Sequence, residues 1–449
     1  MSLITPAVEA GLGNTAWIVD LGDGAVAVVD PGRHPGRYLA EAERRGARVA
    51  FSVETHLHAD FVTGSRELAA FGATVVASAG ADLAWPHRPL AHGHEIDLGG
   101  LTLRALATPG HTPEHLAYLL LDGDRPLGVF TGGALLVGAV ARTDLIAPDQ
   151  SEGLARALWR SVHEELLGLP DDTPVYPTHG AGSFCSAPAT GRRSTTIGDE
   201  RRTNPLLAAP DEDGFVAALT ASLGTYPPYF HDLREVNQSG PAVLGLPQPA
   251  LPGLDLAEFR RHVAAGVQLV DTRPVEAWAA GHIEGALAIP LRDSFATWLG
   301  WLVERDQPLA FVVGADQDRA ELVRQCRGIG YDKLVGELAG GTTAWATHGL
   351  PLARTGLVDA GQATGTVLDV RQQAEHAAGH VPGAHHVELG SIASAVGVLP
   401  PIDTVMCAHG ERAGTAASII EASGRPAPAV ARGGPDDWAA ATGRALAAA

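Results

Sequence analysis

The chain has 449 residues, enough for about two to four domains at roughly 100 to 200 residues each, so a single core is not expected. Its 32 basic residues against 51 acidic ones leave a net charge of −19, and Lys333 is the sole lysine; with no basic patch to meet phosphates, nucleic acid drops out as a partner. No apolar run approaches the roughly 18 residues needed to cross a bilayer, and residues 1–15 lack the charged and apolar segments of a secretory leader, so no membrane partner is expected.

The first third alternates strand-like apolar runs at 25–29, 49–53, 116–121 and 127–130 with helix-like stretches at 38–45 and 152–167, the pattern of an α/β fold. The second strand runs into Thr55-His56-Leu57-His58-Ala59-Asp60-Phe61, and in an extended segment the i, i+2 spacing turns both imidazoles to one side. Further on, Pro109 and Gly110 fix a turn that presents His111, and a later turn carries His179. Four histidines and Asp60 on loops at strand ends suit a first-row metal, iron and zinc alike.

Proline and glycine thicken over 241–253, which suits an extended connector. Beyond it the chain repeats: Asp271, Arg273, Gly281, His282, Gly285 and Ala286 recur 98 residues later as Asp369, Arg371, Gly379, His380, Gly383 and Ala384. Arg319, Gly340, Gly341 and Trp345 recur 93 residues later as Arg412, Gly433, Gly434 and Trp438. Two tandem copies of one open parallel-sheet fold follow, with strands at 268–271 and 309–313, then at 366–370 and 403–406.

In the second copy the strand at 403–406 leads into Cys407-Ala408-His409-Gly410-Glu411-Arg412 and then a small-residue helix. Loop N–H groups, the helix start and Arg412 together stabilise a thiolate or persulfide anion at Cys407. The first copy has Gly314-Ala315-Asp316-Gln317-Asp318-Arg319 in that place, without a thiol and with two added carboxylates, so it cannot carry sulfur. Cys326 lies on the helical stretch 319–327 and reads as a buried structural thiol. Three cysteines far apart form neither a zinc ribbon nor a disulfide framework, which fits a reducing cytoplasm.

The repeated motifs, Asp-x-Arg, Gly-His-Ile/Val-x-Gly-Ala, Cys-x-x-Gly-x-Arg, Gly-Gly and Trp, resemble the rhodanese sulfurtransferases over nearly all of 253–449. The resemblance makes Cys407 the persulfide-forming cysteine, Ala408 to Arg412 its anion cradle, and the first copy an inactive rhodanese kept for packing. The histidine-bearing segment resembles the metallo-β-lactamase superfamily over about 10–244, and within it the branch of persulfide dioxygenases fused to rhodanese domains. This implies an αββα sandwich with the site at one edge, followed by two tandem rhodanese-like α/β domains. The implied boundaries are 1–244 with a C-terminal extension, a linker at 245–252, an inactive copy at 253–354, and the copy with Cys407 at 357–449.

Carried over, the resemblance makes His56 and His111 metal ligands, with His58, Asp60 and His179 lining the site or adding ligands. Phe61 replaces the histidine with which dinuclear relatives such as glyoxalase II hold a second metal, so a mononuclear site is implied. The sequence also departs from the family: the carboxylate expected after the strand at 127–130 is Gly133, and Ala139 stands where a further acid is expected. Either His58 joins His56 and His111, a set that also suits zinc, or Asp60, Glu114 or Asp144 substitutes for the lost acid. An acid restored at 133 is expected to raise the activity of a merely weakened site. Cys185, six residues past His179, is a candidate relay thiol or a buried cysteine.

The resemblance thus implies persulfide metabolism, with Fe(II) favoured over zinc. Its implied partners are a low-molecular-weight persulfide or thiol of glutathione or coenzyme A type, O₂ and sulfite. A homo-oligomer is compatible with such fusions, although no surface stripe argues for one. Two alternatives stand beside this: a zinc thioester hydrolase like glyoxalase II, and a metal-free binding module beside a sulfurtransferase at Cys407.

Overall fold

The structure, a computed structural model, describes residues 2–185 and 191–448. It divides into two compact units, the first running to Pro249 with the short segment Arg327–Gly330, the second comprising the remainder.

In the first unit, β1 (Ile4–Glu9), β2 (Asn14–Gly22), β3 (Ala25–Val29), β4 (Arg48–Val53), β5 (Thr74–Ser78) and β6 (Arg88–Leu90) form one sheet in chain order. β7 (Glu95–Asp97), β8 (Thr102–Ala107), β9 (Leu116–Asp122), β10 (Arg125–Gly132), β11 (Pro174–Pro177) and β12 (Thr195–Thr196) form the other. Side chains alternate faces along a strand, and here both faces are apolar. On β2, Trp17, Val19 and Leu21 point inward to meet Leu116, Tyr118 and Leu120 of β9, making the core between the sheets. Ala16 and Ile18 point the other way, against Tyr38, Ala42 and Leu68 of the helices Gly36–Arg44 and Ser65–Ala70. Across the molecule, Ala117, Leu119 and Leu121 of β9 pack on Leu158 and Phe215 of the helices Ser151–Arg160 and Glu212–Ser222. Each fully buried side chain of this size stabilises by roughly 1.5–3 kcal/mol, so both helical layers are required and the αββα sandwich follows.

The helix expected over 152–167 changes character at Ser161, where Ser161–Leu166 winds as a π-helix. There Ser161 Oγ donates to the Pro109 carbonyl at 2.7 Å, tying the helix to the His111 loop. Gly110 sits at φ +147°, and a Cβ there would lie 2.4 Å from Leu158 Cβ, so only glycine permits this approach.

The second unit holds the repeat. The first copy has the spatial strand order Gly253–Leu254, Leu334–Leu338, Leu309–Val312, Gln268–Asp271, Leu287–Ala288, all parallel. The second copy reproduces that order with Leu357–Asp359, Ala429–Arg432, Thr404–Met406, Val367–Asp369 and His385–His386. The two copies share a core: Val275, Trp278 and Ala288 of the first pack with Leu368, Val405, Cys407, Ala416 and Ile420 of the second. Among the described residues no helix is long and apolar enough to cross a membrane.

Candidate metal centre and sulfur-carrier loop

The loops that follow β3, β4, β8, β10 and β11 meet at one edge of the sandwich and bring Asp30, Thr55 to Asp60, His111, Gly133 and His179 together. His56, His111 and His179 are fully buried, with one ring nitrogen of each within 4.8 Å of the others. Each ring is oriented by a partner on its far nitrogen. His111 Nδ1 lies 2.7 Å from the Arg142 carbonyl, which can only accept. Thr55 Oγ1 donates to Asp30 Oδ2 at 2.8 Å and so accepts from His56 Nδ1 at 2.8 Å. Asn14 Nδ2 donates to Asp60 Oδ2 at 2.7 Å, which turns Asn14 Oδ1 toward His179 Nδ1 at 3.0 Å. Burial, with the neighbouring histidines adding to it, pushes His56 well below the ordinary imidazole value, and burial with His179 pushes His111 down to about 3. In each of the three rings it is Nε2 that is left facing the shared space.

His58 lies beside His56, ring centroids 4.1 Å apart, but turns its Nε2 to carboxylates. Its Nε2 stands 3.3 Å from Asp30 and 3.2 Å from Glu54, and its ring stacks on Phe61 at 4.2 Å. Burial would lower it, but the two carboxylates raise it to about 10. Two of the expected substitutes for the missing acid are engaged: Glu114 is gripped by both Arg234 nitrogens at 2.8 and 3.0 Å, and Asp144 by Arg142 at 2.7 and 2.8 Å. The third, Asp60, stands 3.4 Å from His179 Nδ1 through Oδ2, while its Oδ1 has no hydrogen-bond partner. Burial would raise Asp60, but His179 and the Asn14 hydrogen bond hold it down to about 2. At Gly133 the backbone N–H donates to His115 Nε2 at 3.0 Å, and a Cβ would fall 2.4 Å from His111 Cδ2. A small, mostly apolar pocket lies beside His56 and His58, lined by Leu57, Leu83 and Trp85.

The donor set fits a first-row divalent metal, since three imidazoles leaving a position open is a ligand set known for catalytic zinc. Two further groups, Asp30 with His56 and His58, and His58 with Asp60 and His179, bring their donor atoms equally close. Cys185 is fully buried; burial, with Asp60 nearby, raises its thiol well above the ordinary value, so it stays protonated.

In the second unit, Cys407 lies where the strand Thr404–Met406 gives way to the helix Glu411–Ala422. Gly410, at φ +102°, turns its N–H onto Cys407 Sγ at 3.1 Å, the one loop amide seen donating to the sulfur. Arg412 reaches Glu375 through two bonds of 2.6 and 2.7 Å, so its charge is shared rather than committed to the sulfur. The cleft over Cys407 is lined by Ala408, His409, Glu411, Arg412 and Thr415 and by Ile289, Pro290, Arg292, Ser294 and Trp298 of the first copy. Trp298 lies 5.9 Å from the Arg412 guanidinium, and Arg292 pairs with Glu411. The copy without a thiol thus forms one wall of the cleft, a role beyond packing. No sequence signal marked Arg292, Trp298 or Glu375, and in the first unit none marked Asn14; Asp30, directly after an apolar strand, was open to notice.

Residues 10–179 match the metallo-β-lactamase superfamily, and residues 255–348 and 355–441 each match the rhodanese-like domain. The mitochondrial persulfide dioxygenase of Homo sapiens is 34% identical over 171 residues, 37% of this chain and 60% of that protein, so the chain spans about three fifths of that relative's length. A hydroxyacylglutathione hydrolase of Cereibacter sphaeroides is 31% identical over 242 residues, 47% of this chain and 87% of that protein. Among solved structures, a metallo-β-lactamase from Staphylococcus aureus subsp. aureus COL superposes with a TM-score of 0.66 at 28% identity, covering 74% of this chain and 98% of its own. With its histidine loops at the sandwich edge and its paired parallel sheets, the chain belongs to the metallo-β-lactamase superfamily, has persulfide dioxygenases among its homologues, and carries two rhodanese-like domains.

Proposed function

We propose that the chain oxidises and transfers sulfane sulfur: the first unit acts on a low-molecular-weight persulfide, and Cys407 carries sulfur as a persulfide. The observation that carries this reading is the pairing, in one chain, of a domain homologous to persulfide dioxygenases with a cysteine whose sulfur accepts a loop N–H at a helix start. A metal held by the sandwich-edge histidines, with Fe(II) favoured, would supply activation of the terminal sulfur and of O₂. The protein's part there is to orient those rings through Thr55, Asn14 and the Arg142 carbonyl.

The overall reaction takes a persulfide, O₂ and water to the thiol, sulfite and two protons; the terminal sulfur loses four electrons and O₂ gains them. In the second unit, sulfite attacks the outer sulfur of the Cys407 persulfide, the S–S bond breaks, thiosulfate leaves and the electron pair stays on Cys407 as thiolate. The Gly410 N–H and the helix start stabilise that thiolate, and Arg412 and Arg292 draw the anion into the cleft. A reducing cytoplasm would keep the three cysteines as the free thiols they are.

Oxygen consumption by iron-reconstituted protein given glutathione persulfide tests the first half, with His111→Ala as control. Uptake that the variant abolishes is expected; no uptake by the iron-loaded protein would remove the dioxygenase reading and leave a sulfurtransferase. The similarity to a hydroxyacylglutathione hydrolase over 242 residues favours one second reading, in which bound zinc lowers the pKa of water for attack on a glutathione thioester. Hydrolysis of such a thioester by the zinc-loaded protein, lost in His56→Ala, would establish it instead.

A further inference from the structure

We infer that the metal of the first unit is held by His56, His111 and His179 alone, His179 having taken over from the carboxylate that Gly133 no longer supplies. This rests on the proposal that the unit binds a metal, and it deepens that proposal by naming the ligand set and its charge.

Three observations carry it. The first is the spacing: His56 Nε2 and His179 Nε2 are 3.3 Å apart, and two imidazole nitrogens each about 2.05 Å from one tetrahedral ion stand about 3.3 Å apart. The second is the direction of the protons. Asp60 turns Asn14, Asn14 takes the His179 Nδ1 proton, and Asp30 through Thr55 takes that of His56. With both Nδ1 atoms so engaged, His56 Nε2 and His179 Nε2 are the atoms turned to one another across a buried gap, the two that an ion there would take. The third is the room at residue 133. The His111 ring, braced by the Arg142 carbonyl, occupies the place a side chain there would take, with a Cβ 2.4 Å from Cδ2 and 2.8 Å from Cγ. The glycine is therefore fitted to a histidine site rather than being a gap left in a carboxylate site.

Of the two rival sets, one needs Asp30 and the other Asp60, whose Oδ2 accepts from Asn14 while its Oδ1 has no hydrogen-bond partner; both need His58. His58 Nε2 faces two carboxylates at 3.2 and 3.3 Å. Asp30 accepts the Thr55 N–H and the Thr55 and Thr178 hydroxyls. Glu54 accepts the hydroxyls of Thr63 and Ser65. With three neutral ligands the ion keeps its full double charge, so its open position takes an anion, a persulfide or a hydroxide, more readily than a two-histidine, one-carboxylate site does.

The test is Co(II) titration of the chelator-stripped full-length protein, read by metal stoichiometry and by the ligand-field absorption of the bound ion. Wild type should bind one ion per chain at this site with the intense bands of four-coordinate cobalt. His179→Ala and the milder His179→Gln should weaken binding by more than about 100-fold, beyond the 10–100-fold that losing an outer partner costs, whereas Asn14→Ala should stay within that outer-partner range. His58→Gln should keep both stoichiometry and spectrum. Gly133→Asp should weaken binding, because its side chain displaces His111. Apo-protein circular dichroism and thermal midpoints identify any variant that fails to fold, and His179→Gln keeps the question open if the alanine variant does. Binding that survives both His179 substitutions with an unchanged spectrum, or binding lost in His58→Gln, would overturn the ligand set while leaving metal binding intact. Binding strengthened by Gly133→Asp would do the same. No binding by wild type would overturn both this inference and the metal-dependent reading beneath it.

Discussion

Trp278 belongs to the rhodanese copy that has no thiol, yet its removal is expected to destabilise the copy that has one. The indole is fully buried, stacks on His282 at 4.3 Å, and shares one core with Cys407, Ala416 and Ile420. Below it His282 Nε2 reaches Glu421 of the second copy at 2.9 Å, and Gly414 on the Cys407 helix lies so close to Val275 that a Cβ would fall 2.7 Å from Cγ2. Trp→Ala in a packed core costs about 3–5 kcal/mol. With a slope of about 5 kcal/mol per molar guanidinium for a unit of this size, that is a midpoint lowered by about 0.6–1 M. The two copies carry one buried cysteine each, Cys326 in the first and Cys407 in the second, so pulsed alkylation with mass spectrometry follows both in one sample. In wild type both thiols should become reactive at the same denaturant concentration, and in Trp278→Ala both midpoints should fall together by the stated amount. If Cys326 alone moved and Cys407 kept its wild-type midpoint, the shared core would not couple the copies and the reasoning would fail.

Four further outcomes are expected. Cys407→Ser should abolish thiosulfate:cyanide sulfur transfer, while His56→Ala and His111→Ala leave it at wild-type rates, measured as thiocyanate formed. Trp298→Ala should raise KM for an anionic sulfur donor by about 2–5-fold with little change in kcat, since the lost ring–guanidinium contact is worth about 0.5–1 kcal/mol and serves binding. Burial would raise the Glu375 carboxyl, but the two Arg412 bonds hold it below its ordinary 4.5; a depressed folded value contributes stability above the unfolded value and loses it on acidification. The stability difference between wild type and Glu375→Gln, followed by denaturant titration, should therefore be constant near neutrality and shrink as pH falls below about 4.5. Gly110→Ala should lower both the thermal midpoint and the metal affinity of the first unit, because its Cβ must displace the Leu158 backbone under the His111 loop.

The sandwich and the repeat were legible for a physical reason: both are written in periodicities. Strands apolar on both faces announce burial between two layers, and a fixed offset of Asp-x-Arg and Gly-His pairs announces one fold used twice. The histidines were legible because His56 and His58 share a short extended segment and His111 follows Pro-Gly. Their division of labour was not. The i, i+2 spacing puts both rings near the edge of the sheet but says nothing of Asp30 and Glu54, which claim His58 from the ends of β3 and β4. Gly133 read as a deletion because a missing carboxylate leaves a mark in sequence, whereas the ring that fills its place shows only in three dimensions. Arg412 read as an anion ligand from its loop, and only packing reveals Glu375, 37 residues away, as its partner.

The two candidate sites meet one electrostatic demand, holding a sulfur anion, by opposite means. At Cys407 the stabilisation is spread over weak elements, one loop N–H, a helix start and an arginine shared with Glu375, so the sulfur is held loosely enough to be handed on. In the first unit four carboxylates are held elsewhere: Asp30 and Glu54 face His58, Glu114 pairs with Arg234, and Asp144 with Arg142, while Asp60 stands behind His179. The three histidines that face the shared space would, as metal ligands, bring no charge to offset a bound cation's. A terminal persulfide sulfur would meet full positive charge there and only partial charge at Cys407. That difference is consistent with the proposed division of oxidation to the first unit and transfer to the second.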